Sequence, residues 1–289
     1  MPANKPNIVA NIHHPHQLEN DVATLENEMP IRLLQLTDLH LFGDPHGQLL
    51  GITTRGSFEA VLELALSSDA QPSAIVVSGD LVHDETPAGY RYLRETLKRT
   101  DLPHYCVAGN HDDVGLMQEH LGSAALGSVA LRRLRSWNLV FLDSSVSGQE
   151  GGHLTAAQLN QLQDLLEENR APTAIFLHHH PVPIQSAWMD TMGVDNGSEL
   201  IALCDRNPHI KALVFGHIHQ SFSAKHGECS ILGAPSTCFQ FLSGSKDFAI
   251  DDSPPGYREL TLYPDGSLAT KVVRLEHYAE LPLHQVGGY

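Results

Sequence analysis

Five short apolar runs in this chain each end in a cluster of charged, amide or imidazole side chains, and no other feature constrains the fold as strongly. The runs have the length and composition of buried strands and lie at 31–37, 74–78, 104–108, 174–177 and 212–215. A further run of this kind lies at 138–143. Segments with apolar residues at helical spacing lie between the runs, at 57–68, 88–99, 156–169 and 198–205. Regular alternation of strand and helix predicts an α/β fold.

The two ends of the chain differ from this alternating part. Residues 1–29 are polar, lack periodicity and are predicted to form a flexible tail, whereas residues 30–289 are predicted to form a single domain because no linker divides them. The segments CSILGA, YRELTLY and LATKVVRLE follow residue 225, and a Pro-Asp-Gly turn at 264–266 separates the last two. The chain is therefore predicted to end in antiparallel strands.

The polar clusters stand directly after the apolar runs. They are Asp38-Leu39-His40, Gly79-Asp80, Gly109-Asn110-His111-Asp112, His178-His179-His180-Pro181 and Gly216-His217-Ile218-His219. The carboxyl ends of parallel strands gather along one edge of a sheet, and ligands bind in the loops there. We therefore expect clusters that are far apart in the sequence to converge in space.

The converging side chains offer carboxylate, amide and imidazole donors. This mixture suits Fe, Mn, Zn or Co, whereas Ca²⁺ prefers oxygen ligands alone. One ion cannot use so many donors, but two ions about 3.5–4 Å apart can share a bridging carboxylate. Such a pair activates water and stabilises an oxyanion. The pattern therefore predicts a two-metal hydrolytic centre.

Charge and composition exclude several other classes of function. Lys plus Arg number 18 against 34 Asp plus Glu, and the formal net charge of −16 disfavours binding to nucleic acid or to an anionic membrane surface. Neither a signal peptide nor a membrane-spanning apolar stretch is found, so we expect a cytoplasmic protein. The four cysteines are expected to be reduced, and most of them buried.

The five clusters match, in order, the pattern D-x-H, GD, GNHD, H and GHxH over residues 31–219, and in this the chain resembles the calcineurin-like metallophosphoesterases. The resemblance implies two ions that share Asp80. It implies that the first metal is held by Asp38, His40, Asp80 and His219, and the second by Asp80, Asn110, His178 and His217. Fe and Mn are favoured, and Zn or Co is also compatible with these ligands.

The resemblance also implies residues for catalysis and substrate binding. His111 would donate a hydrogen bond or a proton to the phosphate and its leaving oxygen, and Asp112 would orient His111. The expected substrate contacts are His40, Asp80, Asn110, His111, His178 and His219. Within the run 178–180, His178 is the first choice for the histidine that binds the second metal, and His179 is the second choice. Alternation along an extended segment would turn His179 away from its two neighbours.

Longer stretches extend the resemblance to bacterial class III cyclic AMP phosphodiesterases. They are QLTDLHLF at 35–42, LLGITT at 49–54, HHHPVPI at 178–184, GHIHQ at 216–220, PSTCFQF at 235–241 and PPGYREL at 254–260. This resemblance implies a four-layer α/β/β/α sandwich of two mixed sheets. It also implies hydrolysis of 3′,5′-cyclic AMP to 5′-AMP by in-line attack of a hydroxide that bridges the metals. The expected partner is the small cyclic nucleotide, bound by a monomer or a homodimer.

Two alternatives remain open at this point. One is a phosphodiesterase or phosphomonoesterase of broader specificity, and the other is a metal-binding scaffold without catalysis. Residues 230–260 are the segment expected to separate the substrates. Within it, Cys238 and Phe239 either border the base-binding side or pack in the core, and the acidic segment 246–256 is expected to be a surface loop.

Overall fold

The computed structural model describes residues 28–68 and 70–284, so the tail predicted over 1–29 lies outside the described residues except for its last two positions. The strands in chain order are β1 Ile31–Leu36, β2 Gln48–Leu49, β3 Ile52–Thr53, β4 Ala74–Ser78, β5 His104–Val107, β6 Val129–Leu134, β7 Trp137–Leu142, β8 Thr173–Phe176, β9 Ile210–Phe215, β10 Phe222–His226, β11 Cys229–Gly233, β12 Gln240–Phe241, β13 Ile250–Asp251, β14 Gly256–Leu262 and β15 Leu268–Arg274. The helices are α1 Thr54–Leu66, α2 Pro87–Lys98, α3 Val114–Leu121, α4 Ala156–Glu168 and α5 Gly197–Arg206.

The main strands form two mixed sheets. The first has the order β15-β14-β1-β4-β5, in which β1, β4 and β5 are parallel while β14 and β15 are antiparallel additions at one edge. The second has the order β10-β11-β9-β8-β7-β6, with a parallel centre and an antiparallel strand at each edge. The antiparallel pairing of β14 with β15 confirms the arrangement predicted for the end of the chain.

Three apolar clusters show how the layers are stacked. The middle cluster takes alternate residues from both sheets, including Leu33 and Val76 from the first and Phe141 and Val214 from the second. The opposite faces of the strands pack against helices: α1, α2 and α3 cover the first sheet, and α4 and α5 cover the second. The central strands β4, β8 and β9 are buried on both faces and therefore read as nearly continuous apolar runs. The predicted four-layer α/β/β/α sandwich of two mixed sheets is confirmed.

Most predicted elements lie where the sequence placed them, and the differences have local causes. The capping box of Thr155 and Gln158 is present at the start of α4. Helix α3 and strand β6 were not predicted: α3 has only 8 residues, and β6 reads VALRRL, with two arginines interrupting its apolar pattern. All four cysteines are free and buried, as expected. None of the helices in the described residues combines the length with the apolar character that a membrane-spanning helix needs.

Candidate metal centre

The five polar clusters follow β1, β4, β5, β8 and β9, and they meet at one edge of the sandwich. The two sheets are tied together there by direct hydrogen bonds. Gln35 donates its amide to the carbonyl oxygen of Phe215 over 2.9 Å, and the backbone N–H of His217 lies 3.1 Å from both carboxylate oxygens of Asp38. The convergence predicted from the strand ends is therefore present, and it includes strands of both sheets.

The backbone turns sharply at this edge, in conformations that L-amino acids rarely adopt. Positive φ angles of 44–65° occur at Asp38, His40, Asp80, His217 and His219. Such conformations cost on the order of 1–3 kcal/mol each and concentrate at functional sites. All five residues are predicted metal ligands. The strained backbone at these positions therefore coincides with the side chains that converge on the centre.

Two glycines allow the ligands to approach one another. A Cβ atom on Gly79 would lie 2.2 Å from Nδ1 of His178, and one on Gly109 would lie 2.0 Å from Oδ1 of Asp80. Both contacts are far closer than any side chain permits. The glycines of the GD and GN motifs therefore provide space for the ligand next to them.

The first group of donors is formed by Asp38, His40 and His219, whose nearest ligand atoms all lie within 4.8 Å of one another. Nε2 of His219 is 3.3 Å from Oδ1 of Asp38 and 3.2 Å from Nε2 of His40. Asp80 lies beside them, with its Oδ2 3.8 Å from Nε2 of His40. The ring of His219 is oriented by a 2.9 Å hydrogen bond from Nδ1 to the carbonyl oxygen of Phe239.

The second group lies on the other side of Asp80. Nε2 of His178 is 3.4 Å from Oδ1 of Asp80 and 3.2 Å from Oδ1 of Asn110. Nδ1 of His178 donates to the carbonyl oxygen of Ser78 over 2.8 Å, which turns Nε2 toward the other donors. The ring of His217 lies 5.1 Å from that of His178. Asp38, Asp80 and His178 also lie together within 4.8 Å and so connect the two groups.

The run 178–180 bends after β8 and does not continue as an extended strand, so the expected alternation is not observed. The rings of His178, His179 and His180 all lie within 5.8 Å of the ring of His217. The ring nitrogens of His179 are 2.8 Å from Oγ of Ser144 and 3.2 Å from the carbonyl oxygen of Glu150. Nε2 of His178 lies beside two other proposed ligands, Asp80 and Asn110, whereas the nitrogens of His179 contact groups outside the proposed ligand set. The geometry therefore favours His178 as the ligand.

Burial and neighbouring charges prepare these groups for a cation. Burial lowers the pKa values of His40 and His217 well below the ordinary value, so both imidazoles are neutral, as metal ligands must be. Burial alone would raise the pKa of Asp80, but His178 and His111 hold it well below its usual range. Burial lowers the pKa of His178, yet Asp80 raises it to about 9. A bound cation would displace that proton.

The donor set fits a pair of transition-metal ions. Nε2 of His217 is buried and has no hydrogen-bond partner within the described residues. Asp38, His40 and Asp80 are at most 2% exposed. Buried charged and imidazole groups of this kind are stable when they are paired or coordinate a metal. Two ions that share Asp80 would satisfy all seven predicted ligands.

His111 and Asp112 occupy different surroundings. The backbone N–H of His111 donates to Oδ1 of Asp80 over 3.0 Å, and its ring lies 5.2 Å from that of His40 and 4.8 Å from that of His83. The carboxylate of Asp112 is turned toward the protein instead. It accepts hydrogen bonds of 2.9–3.1 Å from the backbone N–H groups of Leu81, Val82 and Gly109 and from the hydroxyl of Tyr90.

The expected substrate contacts divide into two sets. A cavity beside the centre is lined by three of them, Asp80, Asn110 and His111, and also by His217. The remaining three, His40, His178 and His219, are buried within the donor groups. The cavity also reaches Trp188, Met189, Met192 and Phe248, which sequence reasoning did not single out. Met189 begins a short 3-10 helix, Met189–Thr191, and the others lie in loops. Neither setting has a periodic pattern, so only the aromatic and thioether character of these residues could have indicated them.

Residues 230–260 also divide into some that are buried in the core and others that line the cavity. Cys238 and Phe239 are 1% exposed and pack in the apolar core, although the ring of Phe239 also lies 4.7 Å from that of His219. Phe241 and Phe248 line the cavity. The acidic segment 246–256 therefore contributes one aromatic residue, Phe248, to the wall of the site.

Comparisons with known proteins agree with the motif and the fold. The family model for calcineurin-like phosphoesterases matches residues 31–221. A 3′,5′-cyclic-nucleotide phosphodiesterase of Nostoc sp. (strain PCC 7120) is 38% identical over 259 residues, which cover 88% of this chain and 96% of the relative. The 3′,5′-cyclic adenosine monophosphate phosphodiesterase CpdA of Escherichia coli (strain K12) is 37% identical over 254 residues, covering 87% and 92%.

Among solved structures, a dimetal phosphatase from Danio rerio shares the fold, with a TM-score of 0.60 at 12% identity; the match covers 84% of this chain and 98% of that one. A purple acid phosphatase from yellow lupin has a TM-score of 0.58 at 11% identity, covering 86% of this chain and 52% of that one. The family match and the two close relatives together show that this chain belongs to the calcineurin-like phosphoesterases.

Proposed function

We propose that the chain is a metal-dependent phosphodiesterase that hydrolyses 3′,5′-cyclic AMP to 5′-AMP. The observation that carries the proposal is the position of Asp80, whose two carboxylate oxygens lie beside different donor groups, at His40 and at His178. A carboxylate placed between two donor groups can hold two ions close together, as in a two-metal hydrolytic centre. The substrate is supported by relatives that are 37–38% identical over most of both chains and are named as cyclic-nucleotide phosphodiesterases.

The proposed ligands follow the two donor groups. Asp38, His40, Asp80 and His219 would hold the first ion, and Asp80, Asn110, His178 and His217 would hold the second. Mixed oxygen and nitrogen ligands favour Fe and Mn and are also compatible with Zn or Co. When bound, the two ions supply Lewis-acid polarisation of the phosphate oxygens and lower the pKa of an attacking water.

His111 would act on the phosphate and on the leaving group. It lines the cavity next to Asp80 and Asn110, and its backbone N–H is fixed on Asp80. The water oxygen forms a bond to phosphorus, the bond from phosphorus to the 3′ oxygen breaks, and that oxygen takes a proton from His111. The proton that the water loses then restores the protonated His111. The product is 5′-AMP with a free 3′ hydroxyl. General-acid assistance of this kind contributes about 10²–10⁴-fold to a rate.

For Asp112, which was expected to orient His111 in catalysis, the bonding pattern supports a different role, that of positioning the backbone beside the metal ligands. Its carboxylate joins the backbone after β4 to the backbone after β5, through Leu81, Val82 and Gly109. It thereby fixes the relative positions of Asp80 and Asn110. Burial and the nearby Asp80 raise the pKa of Asp112 to about 7, while its three backbone N–H donors act in the opposite direction.

A broader phosphodiesterase or phosphomonoesterase would use the same metal centre, and a non-catalytic scaffold would bind metal without turnover. The aromatic residues in the cavity favour a nucleotide over a small phosphate ester, because an apolar wall contributes nothing to binding a phosphate alone. A cytoplasmic location and a monomeric or dimeric state remain predictions of the sequence.

The proposal is tested by product analysis. The protein, loaded with Mn or Fe, is incubated with 3′,5′-cyclic AMP, and 5′-AMP and 3′-AMP are quantified by chromatography. Rapid formation of 5′-AMP alone, abolished by chelator, is expected. An aryl phosphodiester serves as the parallel substrate. Turnover of the aryl diester without cyclic AMP hydrolysis would establish the broader esterase, and metal binding without turnover of either would establish the scaffold.

A further inference from the structure

The cavity beside the metal centre, about 210 Å³ in volume, has a polar end and an apolar end. The polar lining is formed by Asp80, Asn110, His111, Glu150 and His217. The apolar end is formed by Trp188, Met189, Met192, Phe241 and Phe248. Among the described residues that line it there is neither lysine nor arginine. A phosphate at the polar end would therefore depend on the metal ions that these residues would hold for its positive partner, and the group attached to the phosphate would lie toward the apolar end.

The apolar end includes three aromatic rings, those of Trp188, Phe241 and Phe248, and the plane of each ring is steeply inclined to the planes of the other two. The ring centroids of Trp188 and Phe241 are 4.9 Å apart at an interplanar angle of 88°. Those of Trp188 and Phe248 are 5.4 Å apart at 72°, and those of Phe241 and Phe248 are 5.6 Å apart at 69°. A planar aromatic ligand would meet the face of one ring and the edge of another, which are both favourable contacts.

The three rings are positioned by hydrogen bonds between two loops. One loop follows β8 and carries Trp188, and the other, between β12 and β13, leads to Phe248. The buried hydroxyl of Ser186 accepts from the backbone N–H of Gly244 over 3.1 Å and lies 3.4 Å from the side-chain amide of Gln220. The N–H of Ala187 donates to the carbonyl oxygen of Ser245 over 3.0 Å. The apolar end is therefore prearranged, which lowers the entropy cost of binding.

From these contacts we infer that Trp188, Phe241 and Phe248 form the binding slot for the nucleobase and so determine selectivity for nucleotide substrates. The inference rests on the proposed function, since it places the base of the cyclic nucleotide at the apolar end while its phosphate lies at the metal centre. Stacking supplies affinity that tolerates different bases, because every base has an aromatic face. The slot therefore separates nucleotides from phosphate esters without a base.

A pair of substrates tests the slot by kinetics. Cyclic AMP is compared with the 3′,5′-cyclic phosphate of 1-deoxyribose, which has the same reacting bond and no base. Trp188→Ala and Phe248→Ala should each lower kcat/KM for cyclic AMP about 10- to 100-fold, the range of one lost base-stacking contact. Their kcat/KM for the abasic substrate should change less than twofold. Tyr263 is exposed and directly follows the last residue of β14. Tyr263→Ala is the matched control and should change kcat/KM for neither substrate.

A binding measurement tests the same slot without turnover. The chain has two tryptophans, and Trp137 is buried between the sheets at 1% exposure. Adenosine that stacks on Trp188 should quench tryptophan emission, and ribose 5-phosphate should not. Trp188→Phe should remove the quenching and retain the emission of Trp137. Quenching should persist in Tyr263→Ala.

The possible results separate the slot from the proposed function. If the unmodified chain hydrolyses cyclic AMP and the two alanine variants keep its full preference over the abasic substrate, the slot is wrong and the function stands. If adenosine quenches Trp188 while cyclic AMP is not hydrolysed, the slot stands and the proposed substrate is wrong. Absence of both quenching and selectivity overturns the slot.

Discussion

At the scale of single residues, several proposed ligands of the centre have left-handed backbone conformations. Asp38, His40 and Asp80 have φ angles of 46–53°, in the left-handed region. The sequence identified these residues through their donor atoms and their place after apolar runs. It gave no sign of the strained backbone that directs them inward, because that strain is maintained by hydrogen bonds between distant loops, such as that from the N–H of Asp38 to the carbonyl oxygen of Gly79.

His111→Ala tests the catalytic role of that imidazole. The variant should retain two metal ions per chain, because His111 is outside the two proposed ligand sets, and its kcat for cyclic AMP should fall by about 10²–10⁴-fold. Metal analysis and steady-state kinetics on the same preparation measure both quantities. An unchanged kcat would remove His111 from the mechanism, and loss of metal would make it a ligand.

Asp112→Ala should behave differently, because three backbone N–H groups would lose their acceptor. We expect the free energy of unfolding to fall by about 3 kcal/mol or more, and the affinity for the second metal to fall with it. Asp112→Asn keeps one carbonyl oxygen and should lose less of both. Denaturant unfolding and metal titration check these values. A variant with full stability and metal content but low kcat would instead support the orientation of His111 by Asp112, as expected from the sequence.

At the scale of helices and strands, the elements with a clear apolar pattern were predicted correctly from the sequence. Strand β4 is buried on both faces and was found at its predicted bounds, 74–78. The short 8-residue helix α3 lacks a pattern long enough to recognise. The aromatic slot was missed for a related reason, because Trp188 and Phe248 come from loops whose pairing depends on Ser186 and on backbone contacts.

Thr155→Ala tests the capping box at the start of α4. Oγ1 of Thr155 accepts the N–H of Gln158 over 3.2 Å, and the amide oxygen of Gln158 accepts the N–H of Thr155 over 2.8 Å. The variant should lose about 1 kcal/mol of unfolding free energy. Thr155→Ser keeps the hydroxyl and should lose much less. Because α4 covers the outer face of the second sheet, kcat should stay constant in both variants; equal stability in both would contradict the role of the cap.

At the scale of the whole molecule, the centre joins two sheets that are otherwise held by an apolar layer. Asp38 and Asp80 come from the first sheet, while His178 and His217 come from the second. Metal binding should therefore stabilise the entire sandwich. The periodicity of the sequence predicted only the α/β class. The four-layer sandwich of two sheets was predicted because the order of the motifs resembles that of a known family.

Removal of metal should lower thermal stability as well as activity. A ligand that binds only the folded state contributes about 2.7 kcal/mol when its concentration is a hundred times its Kd. Chelation should lower Tm by several degrees, and adding Mn back should restore it. Differential scanning calorimetry on loaded, chelated and refilled protein measures the effect. An identical Tm in all three would show that the ions are not part of the folded centre.

The most direct test of the two-metal account follows metal content and turnover together. Metal-free protein is titrated with Mn or Fe, and bound ions per chain and the rate of 5′-AMP formation are measured at each step. We predict two ions per chain, with turnover appearing as the second ion binds, and loss of both ions in Asp80→Ala. Full turnover at one ion per chain, or two retained ions in Asp80→Ala, would contradict the shared carboxylate on which the account depends.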